Sequence, residues 1–114
     1  MKFSNKKPVY NRLGLLDSDI ELLIESFKIY PEIMQALIFG SRAKGTCKNG
    51  SDVDIALKGE KITLEIITRI SVYLNEESLM PYKFDVLNYH ALTSNELLYH
   101  IDRVGVEIYS STAQ

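Results

Sequence analysis

Leu37-Ile38-Phe39-Gly40-Ser41-Arg42-Ala43-Lys44-Gly45, followed by Ser51-Asp52-Val53-Asp54-Ile55-Ala56-Leu57, is the stretch from which the rest of the chain can be read. The apolar run Met34 to Phe39 ends at Gly40, the pattern of a short buried strand meeting a turn. Gly40 to Ser51, with its glycines, small residues and basic side chains, reads as a loop. Beyond it Val53, Ile55 and Leu57 alternate with Asp52, Asp54 and Ala56, which predicts a strand with its apolar set on one face.

The alternation has a chemical consequence. Asp52 and Asp54, two residues apart on a strand, project from the same face about 6.6 Å apart at the backbone. Like charges so close are unfavourable unless a cation sits between them, and a hard oxygen-seeking ion such as Mg²⁺ is the natural partner. Asp85 lies in the apolar run Phe84-Asp85-Val86-Leu87, where an unpaired charge is costly. On a strand next to that of Asp54 it would join the same cluster, and three carboxylates can hold two ions roughly 3.5–4 Å apart for phosphoryl-type transfer. Gly40 lets the backbone approach a phosphate, Ser41 adds a hydroxyl donor, and Arg42, Lys44 and Lys48 bring positive charge to the loop. The turn can also open a short helix whose N-terminus favours anions.

Each piece alone has a plainer explanation. Gly40-Ser41 could be an ordinary strand-ending turn, Asp52 could cap the loop beside Asn49-Gly50, and Asp85 could pair with Lys83 or Arg69. Together they appear in an order that can build one site. No Gly-Lys-Ser/Thr ending follows Gly40, so this is not a P-loop, and no G-x-G-x-x-G is present.

Working outward, Ser18-Asp19-Ile20-Glu21 is a capping-box pattern, and Ile20, Leu23, Ile24, Phe27 and Tyr30 recur at helical spacing until Pro31. Ile62, Ile66, Ile67, Ile70 and Leu74 predict one long helix ending near Met80-Pro81. Lys83 to Asn88 reads as a third strand. Thr93-Ser94-Asn95-Glu96 offers a second capping box, followed by a helix ending at Gly105 as C-cap and a short extended tail, Val106 to Tyr109. The alternation predicts an α/β (α+β) domain, a small sheet flanked by helices. Its 62–80 helix is long enough to cross between neighbouring strands. Residues 1–16 show no period and are expected to form a flexible arm, leaving 17–114 as a single domain.

The chain has 114 residues, 46% hydrophobic and 25% charged, with thirteen basic and fifteen acidic side chains for a net charge of -2. This balance fits one globular domain and argues against a general nucleic-acid binder. One cysteine, Cys47, leaves no internal disulfide and suits a reducing cytoplasm. Met1 to Arg12 lacks the apolar run of a signal peptide, and no stretch approaches the ~20 apolar residues of a bilayer span. A soluble cytoplasmic protein is expected.

The Gly40-Ser41 and Asp52-x-Asp54 motif at this spacing resembles the minimal nucleotidyltransferase (MNT) family of the polymerase-β superfamily, with Asp85 matching its third acid. The resemblance covers nearly the whole chain. It implies the polymerase-β-like fold with a small mixed β-sheet flanked by helices, two Mg²⁺ ions, and transfer of a nucleoside monophosphate, AMP from ATP by default, to a hydroxyl acceptor. Carried over, Gly40 and Ser41 hold the triphosphate with Arg42 and Lys44 nearby. Asp52 and Asp54 bind both ions, while Asp85 binds the catalytic ion and helps deprotonate the acceptor. Only 29 residues follow Asp85, too few for an acceptor-binding domain. Small members of the family are often paired with a helical HEPN protein, some as toxin–antitoxin modules in which the tyrosine of a HEPN ribonuclease is adenylylated. A HEPN-type partner, or otherwise a homodimer or hetero-oligomer, is therefore expected. The alternative is a non-catalytic, nucleotide-binding antitoxin or regulatory subunit acting by complex formation.

Several residues carry no assignment. Tyr73, Tyr82, Tyr89, Tyr99 and Tyr109 read as packing residues. His90 and His100 lack a metal-ligand spacing and read as surface or helix-end residues. Glu76-Glu77 reads as a solvated helix face, and loop position alone does not make Cys47 catalytic.

Overall fold

The short strand β1 (Gln35–Phe39) lies inside a sheet of order β3-β2-β1-β4 in the computed structural model, which describes residues 10–46 and 50–111. It runs antiparallel to β2 (Val53–Lys58), with Phe39 opposite Asp54. On its other side it is antiparallel to β4 (Val106–Ser110), the segment read from sequence as a short tail, with a bulge between Ala36 and Leu37. The β2–β3 pair is parallel, β3 being Phe84–Asn88, and puts Asp54 level with Asp85. A parallel pair needs a crossover, and α3 (Leu64–Val72) supplies it. The sheet is mixed, as expected.

The alternation in β2 sorts its side chains. Val53, Ile55 and Leu57 are fully buried with Leu23 and Phe27 of α1 (Asp17–Lys28) and with Ile66 and Ile70 of α3. On the opposite face Ala56 packs with Phe39 and with Ile101 of α4 (Asn95–Val104). Both faces of the sheet are thus covered, and the acids share the α4 side with Ala56.

Boundaries moved where side chains found other partners. α1 begins at Asp17: Asp19, not Ser18, does the capping, its Oδ2 accepting from the Leu16 N–H at 2.9 Å. The N-cap of α4 is Ser94, one residue later than the expected box, its hydroxyl accepting from the Leu97 N–H at 3.2 Å. Gly105 does end α4, but with φ -60, and the reason for glycine is crowding: a β-carbon there would lie 2.5 Å from the Ile101 carbonyl oxygen. The long helix starts with Thr63 as N-cap and gives way after Val72 to a wider π-helical turn, Tyr73–Glu77. There the Asn75 side chain clasps β3, donating to the Phe84 carbonyl at 3.0 Å and accepting from its N–H at 2.8 Å. Ile62, Ile66, Ile70 and Leu74 still form one buried stripe.

Residues 10–16, part of the expected arm, are packed. Leu13 and Leu15 are buried in the main core, and Asn11 Oδ1 accepts from both of their N–H groups at 2.8 and 3.1 Å. The earlier part of that arm, and Cys47 and Lys48 of the loop, lie outside the described residues. No described helix is long and apolar enough to cross a membrane.

Candidate functional site

Gly40 leaves β1 with φ 75 and ψ -150, a backbone conformation open essentially to glycine alone. A β-carbon at Gly40 would collide with the Asp54 carboxylate, so the bare backbone and that acid are in direct apposition. The strand register explains the meeting, since Phe39 faces Asp54 across the antiparallel ladder and the turn starts at the next residue. Ser41 then opens α2 (Ser41–Lys44), which ends on Gly45 with φ 77.

The three acids gather at the same end of the sheet. Asp54 is half-buried on β2, Asp85 is exposed beside it on β3, and Asp52 is exposed just before β2 starts. Partners in a ladder lie about 4.8 Å apart at the backbone. Burial, then the Asp85 charge, then the Asp52 charge raise the Asp54 carboxyl above its ordinary range, against the opposing pull of His100 and Arg42. The charge of Asp54 is therefore only partly compensated, and a donor set of carboxylate oxygens with no sulfur suits a hard divalent cation. Among the described residues no group of three acidic, histidine or cysteine side chains is placed to hold a metal ion.

The basic residues do not behave alike. Lys44 is exposed at the end of α2. Arg42 is turned inward and only 3% exposed, its guanidinium donating to the carbonyls of Leu13 and Gly14 at 3.0 Å, Ser51 at 2.7 Å and Asp52 at 3.3 Å. All its donor nitrogens are engaged, so it is not presented to the loop as a phosphate ligand. Proximity of charge in sequence cannot distinguish these two orientations. Asp85 is not paired with Arg69, whose partner is Glu65 at 2.8 Å.

One neighbour of the site escaped the sequence reading. His100, expected on the surface or at a helix end, is half-buried with its ring edge-on to Phe39 at 6.1 Å, and its charge acts on Asp54. The signal was present in the period of α4: position 100 falls between Leu97 and Val104 on the sheet-facing stripe.

Comparison with known proteins adds to this geometry. A family model described as "Polymerase beta, Nucleotidyltransferase" matches residues 21–114. No curated protein matches the chain in sequence. Among solved structures, a toxin–antitoxin with AMP-PNP superimposes with a TM-score of 0.69 at 19% identity, covering 82% of this chain and 75% of that one. A mutant of the toxin–antitoxin MntA–HpeT gives a TM-score of 0.68 at 17% identity, covering 82% and 74%. A tri-AMPylated Shewanella oneidensis HEPN toxin in complex with MNT antitoxin gives 0.63 at 16% identity, covering 82% and 71%. At these identities the likeness is one of fold.

Proposed function

The chain belongs to the polymerase-β nucleotidyltransferase family, and from that premise we propose that it transfers AMP from ATP to a hydroxyl of a helical HEPN-type partner, as the antitoxin of a toxin–antitoxin pair. The observation that carries this reading is the apposition of the Gly40 backbone with Asp54, level with Asp85 on the neighbouring strand. A backbone without a side chain gives a phosphate room beside a carboxylate that needs a cation. The neighbour seen with a tri-AMPylated HEPN toxin supports the choice of partner and transferred group.

In this reading Gly40 and Ser41 receive the triphosphate, with Lys44 within the same loop to neutralise it. Asp52 and Asp54 hold the Mg²⁺ ions, two by the logic of the family, and Asp85 serves one ion and orients the acceptor hydroxyl. Bound there, Mg²⁺ supplies charge neutralisation to the phosphates. The chain's own contribution is positioning and a preorganised field. Arg42 is left out of the nucleotide contacts because it is buried and four of its five N–H groups already donate to backbone carbonyls. A cytoplasmic location follows from the substrate, ATP, and from the lone cysteine.

The test is direct. Purified protein is incubated with labelled ATP, Mg²⁺ and the HEPN-type protein encoded beside it. Label is expected on the partner and lost with the double substitution Asp52→Asn plus Asp54→Asn. Absence of transfer, or transfer that survives the double substitution, overturns the proposal. If the double variant still neutralises its partner, action by occlusion replaces action by transfer.

A further inference from the structure

A buried guanidinium with no hydrogen-bonded carboxylate must be solvated by something else. For Arg42 the protein supplies two separate pieces of chain, one on each side of the fork. Nη1 donates to Leu13 and Gly14, both at 3.0 Å, while Nη2 donates to Ser51 at 2.7 Å and Nε to Asp52 at 3.3 Å. The Tyr82 ring lies against the guanidinium at 5.2 Å, and its hydroxyl donates to Asp19 Oδ2 at 2.6 Å. Asp19 in turn accepts from the N–H of Leu16. The residues before α1, the motif helix α2, the approach to β2 and the approach to β3 therefore meet at one side chain.

Asp52 needs such an anchor. It precedes β2, whose regular pairing begins at Val53, so the ladder does not hold its backbone. Asp54, inside the strand, is held by pairing on both sides. We propose that Arg42 is a positioning residue that ties residues 13–14 to residues 51–52 and thereby sets the place of Asp52 relative to Asp54. Its consequence for catalysis rests on the nucleotidyltransfer reading; the tie itself does not. Lysine keeps the charge but not the planar fork, so it cannot serve both segments at once.

The experiment compares wild type with Arg42→Lys in the full chain by amide hydrogen exchange and by steady-state transfer. The hydrogen-bonded amides of Leu13, Gly14, Leu15 and Val53 are the reporters. Arg42→Lys is expected to speed exchange about tenfold at residues 13–15 and at Val53 together, the loss of one charge-assisted bond or more. Exchange at Ile38, within the paired part of β1, stays as it was. Transfer is expected to lose kcat with little change in the KM for ATP. Acceleration in only one of the two segments overturns the proposal. So does a rise in KM with unchanged exchange, which would make Arg42 a nucleotide contact. Should Arg42→Lys not fold, Tyr82→Leu decides: it leaves the guanidinium and its four carbonyls, and roughly two- to fivefold acceleration at both segments is expected. No paired response there overturns the tie. The exchange arms are read without turnover, so they stand or fall independently of whether AMP is transferred.

Discussion

Burial, then Asp85, then Asp52 raise the Asp54 carboxyl above its ordinary 3.8. A raised carboxyl favours folding while it is protonated, below 3.8, and that contribution is lost as pH rises through the folded-state value. At neutral pH the cation-free protein therefore carries an unfavourable charge in its site. Two outcomes are expected in thermal melts. Asp54→Asn should raise Tm in the absence of divalent ions, and Mg²⁺ should stabilise wild type, by about 1.4 kcal/mol at ten times its Kd, but not the variant. The Mg²⁺ effect should shrink as pH falls. In transfer assays the same substitution should cost about 10²–10³-fold, the scale of removing one preorganised electrostatic group. At this scale Gly40, Asp54 and Asp85 were legible because a glycine after a strand and acids inside strands are each anomalous for their setting. Arg42 was not. Its neighbours in sequence are loop residues, and only three-dimensional packing shows its head pointing into the protein.

Among the elements, β3 depends on a side chain for its start. Asn75 pairs with both backbone groups of Phe84, one residue before Asp85. Asn75→Ala leaves those groups without their partner and is expected to cost about 1–3 kcal/mol in urea unfolding, with transfer falling as Asp85 loosens. Periodicity identified the strands and the stripe of α3, because spacing of four residues buries the same face in either helical form. It could not show the wider turn at Tyr73–Glu77, since that depends on what Asn75 reaches across space. Nor could it seat Val106–Ser110 beside β1, because alternation marks a strand without naming its neighbour.

For the molecule as a whole, the core extends ahead of α1. Leu13 and Leu15 flank Gly14 and are buried, with Leu15 fully so. Leu15→Ala is expected to lower stability by about 2–5 kcal/mol, measurable by denaturant titration, whereas an unstructured arm would show no change. The sequence hid this because two leucines around a glycine make no period; their burial comes from tertiary contact. The general plan was nonetheless legible. Helix, strand, acidic strand, long helix and acidic strand in that order leave few ways to bring Asp54 and Asp85 side by side except the parallel pair observed.

The missing β-carbon of Gly40 has a consequence for how this protein can vary. Because that space is held by the Asp54 carboxylate, the two positions form a single mutational unit. Gly40→Ala alone carries both the collision and the strain of φ 75, on the order of 1–3 kcal/mol for the backbone part. In an Asp54→Gly background only the strain is left, so the two changes are expected to be strongly non-additive in a double-mutant cycle of Tm. A lineage that has given up the acid is thus relieved of the collision and faces the strain alone, while one that keeps the acid faces both. Loss of the acid at position 54 should come first, and drift at Gly40 should follow it.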